Sequence, residues 1–287
     1  MILNPISGGG RALKILPKIV DWANKNGSEF ELLTTTIPGD GIRLGRLCRF
    51  QKFQRVVVLG GDGSVNEVGS TLAGSDIVMG VLPGGTGNDF YKMLRNNNGL
   101  KSGLETAFFG KPQNVDIGLV NGRPFFNAVG IGFDAEVAHR AIQSDGSSGM
   151  MVYLSAVFQS LRNHRPIELE IEFDRVKIES KVTLFCVGNG RSSGGGFYLT
   201  PHANFSDGLF DVCLIEAMPK SRIFRYLPRT LNGSHVRLPG VKIYRSKKIT
   251  ISSYSELPVH IDGEPFSEPV KRIEFKMDKR KLKVAVA

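Results

Sequence analysis

Apolar positions along the chain show two textures. Up to about residue 110, short runs rich in Val, Ile and Leu alternate with glycine turns and stretches of helical period: "ILNP" then 11 to 26, "FELLTTT" then 41 to 51, "RVVVLGG" then 64 to 73, and "IVMGVLPGG" then 87 to 95. Uninterrupted apolar runs separated by helices are what a parallel sheet covered on both faces requires. Within 12 to 23, Leu13, Leu16, Ile19, Val20 and Ala23 recur at helical spacing, which predicts one stripe facing the sheet. After about residue 115 the apolar positions alternate instead: "PIELEIEFD" (166 to 174), "VTLFCVGNG" (182 to 190), "GLFDVCLIEA" (208 to 217), "KKITISS" (247 to 253), "LPVHIDGE" (257 to 264) and "KLKVAVA" (281 to 287). Period-two patterning punctuated by Gly and Pro predicts an antiparallel sandwich. Helical segments at 150 to 163 and 220 to 231 interrupt it. The expected architecture is a doubly wound α/β domain over 1–115 and an antiparallel β-sandwich domain over 116–287, with the last strand free to return to the first domain.

Composition sharpens this picture in three ways. With 287 residues, 41% of them apolar, the chain can fill a real core. Lys and Arg number 37 against 27 Asp and Glu, a formal charge of +10 that suits nucleic acid, anionic membrane or phosphorylated ligands, unless it only aids solubility. Cys48, Cys186 and Cys213 are odd in number and show no CxxC spacing, so buried thiols in a reducing cytosol are expected rather than disulfides or a zinc site. No run of about 18 apolar residues predicts a membrane span, and no charged segment followed by an apolar one predicts a secretion signal. The first strand, residues 2 to 4, is unusually short, as expected if a few native residues precede it.

Three glycine turns carry candidate chemistry. "GGDG" (60 to 63) puts Asp62 between glycines where an apolar run meets a helix, and "PGGTGNDF" (83 to 90) adds Thr86, Asn88 and Asp89 at the end of the next run. In an open parallel sheet both lie at the carboxyl edge of the strands, where ligands bind. Glycines able to take positive φ would let a phosphate chain approach the backbone, and Asp62, which repels bare phosphate, implies a bridging cation such as Mg²⁺. The plain alternative is a turn whose aspartate caps the following helix. "SGGGR" (7 to 11) adds a third loop, with a flexible connection as its alternative. Neither a phosphate-loop signature nor a dinucleotide fingerprint is present.

Seven motifs in order resemble those of the diacylglycerol-kinase-like lipid kinases, the group that includes bacterial diacylglycerol and phosphatidylglycerol kinases and the sphingosine kinases. They are "NPISGGG" (4 to 10), "GGDGSVNEV" (60 to 68), "LPGGTGNDF" (82 to 90), "NAVGIGFDAEV" (127 to 137), "DGLFDV" (207 to 212), "GSHVRLPGV" (233 to 241) and "HIDGEP" (260 to 265). The resemblance implies an ATP- and Mg²⁺-dependent kinase with an α/β nucleotide domain and a β-sandwich lipid domain. It assigns the nucleotide to Asn4, Thr35, Gly60, Gly61, Asp62, Gly63, Ser64, Asn66, Glu67, Gly84, Thr86, Asn88 and Asp89. Asp89 and Asp116 would join a carboxylate, water and Mg²⁺ network. Asp262 would be the general base, with Glu264 supporting it; the alternative for Asp262 is a solvated turn residue. His260 is expected to pack or to support rather than to act as a second base. A structural Mg²⁺ is implied at Asp207 and the carbonyls of Asn204 and Leu209, against the alternative of a simple Asp-Gly turn. Ser64 stands where the family commonly has Thr, and Gly85 where it often has Leu; serine keeps the hydroxyl.

The segment 220 to 248 interleaves Arg and Lys with Ile, Phe, Tyr and Leu, which suits an anionic membrane surface or an amphipathic helix packed on the sandwich with a solvated basic face. The expected partner is a lipid at such a surface, with no nucleic acid, and a homodimer is compatible with the sequence. The protein would then be cytoplasmic and peripheral to the membrane. An NAD kinase or other small-molecule kinase sharing the GGDG turn, and a catalytically silent lipid- or nucleotide-binding protein, are the alternatives; the particular lipid is not specified by the sequence.

Overall fold

The strand Arg55–Gly60 buries every residue after Arg55, as a strand covered on both faces must. The structure, a computed structural model, describes residues 1–94, 99–143, 150–266 and 268–287, with side chains outside 141–143 and 150–154. The chain divides into two units, Met1–Asp116 with Lys279–Ala287, and Ile117–Asp278.

In the first unit the elements run β1 (Ile2–Leu3), α1 (Ser7–Lys25), β2 (Leu33–Thr34), α2 (Asp40–Phe50), β3 (Arg55–Gly60), α3 (Asp62–Leu72), β4 (Val78–Pro83), α4 (Asp89–Met93), α5 (Leu100–Phe109) and β5 (Lys111–Val115). The sheet order is β2-β1-β3-β4, then the C-terminal strand Leu282–Val286, then β5. All pairings are parallel except that of the C-terminal strand with β5. That strand, counted in sequence with the sandwich, thus completes the first sheet, with Leu282, Val284 and Ala285 buried there. Its alternation fits either sheet, and only the partner β4 decides. The helix expected over 87 to 95 is α4; its far end, residue 95, lies outside the described residues.

Helix α1 corrects the predicted stripe. Ala12, Ile19 and Ala23 are buried, whereas Leu13 is 51% and Val20 38% exposed. The reason is local: Gly8, Gly9 and Gly10 take φ of 60, 65 and 83°, so the regular helix begins after them and turns Ala12 toward the sheet. Ala12, Ile19, Val57, Leu59 and Leu82 form one cluster with Leu104 and Ala107 of α5.

The second unit contains β6 (Gly118–Val120), β7 (Arg123–Phe125), β8 (Ala128–Gly132), α6 (Phe133–Gln143), α7 (Met150–Asn163), β9 (Ile167–Glu172), β10 (Lys177–Gly188), β11 (Phe210–Glu216), α8 (Lys220–Thr230), β12 (Val241–Ser246), β13 (Lys248–Ser252), β14 (Val259–Ile261), β15 (Glu264–Pro265) and β16 (Arg272–Met277). Every pairing among these strands is antiparallel. Along one edge β10 pairs first with β9 (Lys177 to Val182) and then with β8 (Leu184 to Gly188), with a register shift between Val182 and Leu184 toward β11. Such an irregularity bends a strand, and the sheet folds over a core that includes Phe125, Phe185, Phe210 and Phe275. The rings of Phe125 and Phe210 stack at 5.6 Å.

Residues 182–188 of β10 and all of β11 but Glu216 are buried, as strands covered on both faces must be. Phe210, Val212 and Leu214 enter that core, while Cys213 and Ile215 face a second cluster with Ile223 and Tyr226 of α8. The three cysteines are free and buried; burial pushes the Cys213 thiol up to about 12, which leaves it unreactive at neutral pH. Helix α8 buries Ile223 and Tyr226 and leaves Arg222, Arg225 and Arg229 exposed, with Phe224 49% exposed beside Phe158. Among the described residues no helix is long and apolar enough to cross a membrane.

Candidate functional site

The three glycine loops of the first unit follow β1, β3 and β4, at one edge of a parallel sheet, and they touch backbone to backbone. The Gly84 N–H donates to the Gly60 carbonyl at 2.8 Å. A Cβ on Gly85 would stand 2.5 Å from Gly61 Cα, and one on Gly8 would stand 2.4 Å from the Gly84 oxygen. Gly60, Gly61 and Gly63 do not take positive φ, contrary to the role expected for them. A Cβ on Gly60 would stand 2.6 Å from Ser64 Cβ, and one on Gly61 3.2 Å from Gly85 Cα, so neither position has room for a side chain.

Asp62 answers to the same neighbour. Its two carboxylate oxygens accept the N–H groups of Asp89 (3.1 Å) and Phe90 (2.9 Å), so it caps α4. Its own helix, α3, receives no side-chain cap. The alternative reading of this turn puts the cap on α3; the helix it serves instead lies one strand further along. Asn88, the left-handed residue before α4, exchanges two hydrogen bonds with the backbone of Gly85, at 2.8 and 2.7 Å.

The remaining candidates of this unit divide by task. Asn4 donates to the Ser64 hydroxyl at 2.9 Å, tying the first loop to the second. Glu67 points away from the loops, since its oxygens accept the N–H groups of Gly39 (3.2 Å) and Gly41 (2.9 Å) at the start of α2. Thr35 is half-buried, and its N–H donates to the Leu3 carbonyl at 2.9 Å. Thr86 is exposed and Asn66 half-buried. Asp89, only 4% exposed, lies 3.5 Å from the Lys92 ammonium. Asp116 is buried against the ammonium of Lys281, a partner nothing in the sequence pattern announced. No three His, Cys, Asp or Glu side chains are gathered to hold a metal among the described residues. Mg²⁺ on a nucleotide needs only one or two protein carboxylates, the rest of its shell being phosphate and water; Asp89 lies at the edge where the loops meet.

In the second unit the catalytic candidates sit in the hairpin between β14 and β15. Asp262 (φ 49°) and Gly263 (φ 88°) form its two-residue turn, the sequence such a turn favours. Three N–H groups hold the Asp262 carboxylate: Phe126 at 2.9 Å, Asn127 at 2.8 Å and Ala128 at 3.0 Å. It is therefore an oriented, half-buried group. Glu264, two residues on, is exposed.

Behind the turn, His260 and Asp134 form a buried pair, Nε2 to Oδ2 at 2.7 Å. The Gly263 N–H donates to His260 Nδ1 at 3.2 Å, which places the ring proton on Nε2, toward Asp134. A Cβ on Gly130 would fall 2.2 Å from His260 Nε2 and 2.4 Å from Asp134 Oδ2, so "GIGFD" is spaced to admit this pair. His260 thus braces the turn, in line with the supporting role expected of it, while the role of Asp134 was missed although its motif was recognised. Asp134 also lines a narrow apolar cavity with Phe133, Leu199, Ile215 and Tyr226.

At the expected structural Mg²⁺ loop the donor set differs from the one the resemblance implies. Asp207 Oδ1 accepts the Leu209 N–H at 3.1 Å, and Oδ2 is paired with the Arg245 guanidinium.

Glycine loops stacked at the carboxyl edge of a doubly wound sheet, in a chain with an antiparallel unit bearing an Asp-Gly-Glu hairpin, define the NAD-kinase-like and diacylglycerol-kinase-like class. Residues 1–120 match the diacylglycerol kinase catalytic domain, and residues 127–285 match the YegS C-terminal NAD kinase beta sandwich-like domain. A diacylglycerol kinase of Mycobacterium tuberculosis (strain CDC 1551 / Oshkosh) is 30% identical over 271 residues, covering 92% of this chain and 87% of that one. A crystal structure of a candidate diacylglycerol kinase from Bacillus anthracis str. Sterne has a TM-score of 0.80 at 23% identity, over 100% of this chain and 94% of that one. An NAD kinase from Archaeoglobus fulgidus in complex with ATP shares the fold more distantly, with a TM-score of 0.54 at 14% identity over 99% and 92% of the two chains. The chain belongs to the diacylglycerol kinase family, and is a kinase.

Proposed function

We propose that this kinase is ATP- and Mg²⁺-dependent and transfers the γ-phosphate to a hydroxyl of a membrane lipid such as diacylglycerol. The observation that carries the reading is the stacking of three glycine loops at one sheet edge, with the Arg11 guanidinium donating to the Gly85 carbonyl at 3.2 Å beside them. Asp62 contributes by holding the turn 84–90 in place. Asp89 supplies a carboxylate for the nucleotide's Mg²⁺, and the metal offsets charge on the phosphates. The relative from M. tuberculosis carries the name diacylglycerol kinase, which supports a lipid acceptor, and the distant NAD kinase neighbour was solved with ATP, which supports ATP as donor.

In the reaction the lipid hydroxyl oxygen forms a bond to the γ-phosphorus as the bond to ADP breaks, and the hydroxyl proton passes to a carboxylate. Asp262 takes that proton, with Glu264 assisting. Three N–H bonds hold the Asp262 carboxylate in one orientation for that transfer. Positioning and electrostatics carry most of the acceleration in such a reaction. The apolar cavity beside Asp134 suits part of an acyl chain.

The test is product mass spectrometry after incubation with a total lipid extract, ATP and Mg²⁺, with NAD in a parallel reaction. A lipid gaining one phosphate is expected; phosphorylation of NAD alone would transfer the assignment to the NAD kinases.

The exposed Arg222, Arg225 and Arg229 on α8, with Phe224 among them, are the proposed membrane contact. Each basic residue close to an anionic surface contributes ~1 kcal/mol, screened by salt. Sedimentation with anionic liposomes should show binding that weakens as salt rises. Equal binding to neutral and anionic vesicles would remove the electrostatic contact from the account.

A further inference from the structure

The turn 204–209 was expected to hold a divalent ion on Asp207 and the carbonyls of Asn204 and Leu209. The Asn204 carbonyl and the Asp207 carboxylate have other engagements. The Asn204 carbonyl accepts the Asp207 N–H at 3.4 Å, and Asn204 Oδ1 accepts the Ser206 N–H at 3.2 Å and its hydroxyl at 2.9 Å. Asp207 meets the Leu209 N–H through one oxygen and the Arg245 Nη2 through the other. The same guanidinium reaches Asp211 Oδ2 through Nε at 3.4 Å.

Arg245 is not placed there by a chance rotamer. It lies on β12, whose register with β11 sets Arg245 directly opposite Asp211. Asp211 is buried, with 3% of its side chain exposed, and a carboxylate removed from water needs a counter-charge. The strand pairing therefore delivers a permanent cation to both carboxylates. Mg²⁺ demands near-octahedral oxygen coordination and sheds water reluctantly. A guanidinium already on the carboxylate makes that site unfavourable, because the ion would have to displace it or bear its repulsion.

We propose that in this chain Arg245 is the resident cation of the 204–211 loop, so that the loop closes without a divalent ion. Arg245 joins Asp207 and Asp211 as an ion would join the loop's oxygens, and it links the loop to β12 as well. The inference is independent of the kinase reading, since the loop is tested without nucleotide or turnover.

Thermal unfolding of the full chain should be followed with no nucleotide, in excess EDTA and then in millimolar Mg²⁺ or Ca²⁺. The wild-type midpoint should be the same in all three. Arg245→Gln should unfold several degrees lower in EDTA and regain part of the loss when either metal is added. Adding Asp207→Asn to that variant should abolish the regain. Calorimetric titration with Mg²⁺ alone, of the wild type and of Asp207→Asn, provides a readout that does not depend on the Arg245 variant, and the two isotherms should coincide. A wild-type midpoint raised by metal, with the rise lost in Asp207→Asn, would overturn the proposal. So would an Arg245→Gln chain as stable in EDTA as the wild type.

Discussion

Asp262→Asn should lower turnover by ~10²–10⁴-fold, the usual contribution of a positioned proton acceptor, while leaving ATP binding intact. The substitution suits the backbone, because Asn tolerates the left-handed conformation that residue 262 adopts at φ 49°. It does not suit the hydrogen bonds equally well. One amide oxygen can still accept from Asn127 and Ala128, but the amide nitrogen then faces the Phe126 N–H, donor against donor. An orphaned donor of this kind costs about 1–3 kcal/mol, so the variant should also melt at a lower temperature. Activity must therefore be measured well below its midpoint. Glu264→Gln, at an exposed position, should also reduce turnover, measured well below its own midpoint. Undiminished turnover in Asp262→Asn would remove Asp262 from the chemistry and leave it as the clamp of the turn.

Asp62→Asn should abolish the stabilisation that MgATP confers. A ligand at about 100 times its Kd stabilises the folded state by about 2.7 kcal/mol, a shift easily read in thermal unfolding. In the variant one oxygen can still accept from Asp89 or Phe90, and the other N–H meets a second donor. The cost is again about 1–3 kcal/mol, and the turn 84–90 loses its anchor. The two consequences are separable. A variant that melts earlier but keeps the full MgATP shift would make Asp62 a structural cap with no part in nucleotide binding.

Both aspartates illustrate how far the sequence could be read. Their place in glycine turns marked them as unusual, but the groups they bind were hidden. Asp62 takes N–H groups 27 and 28 residues on, and Asp262 takes them 134 to 136 residues back. The glycines were read for conformational freedom, yet Gly61 and Gly85 are required by the closeness of two turns that only the sheet brings together. On α1 the helical period was correct, and Leu16, Ile19 and Ala23 of the predicted stripe face the core. Three left-handed glycines reset where the helix begins, and Leu13 and Val20 went to the outside.

The sequence by itself determined the architecture: a doubly wound parallel layer, then an antiparallel one, with chemistry concentrated in glycine turns. It could do so because burial on one or both faces and turn geometry are written in residues adjacent along the chain. Tertiary structure decided what adjacency cannot encode. It sent Leu282–Val286 to the first sheet, set Lys281 on Asp116 across 165 positions, placed Arg245 opposite Asp211, and backed the Asp262 turn with Asp134 and His260. Each of these depends on the register and partner of a strand, and a single strand's pattern is compatible with several partners until the others are in place.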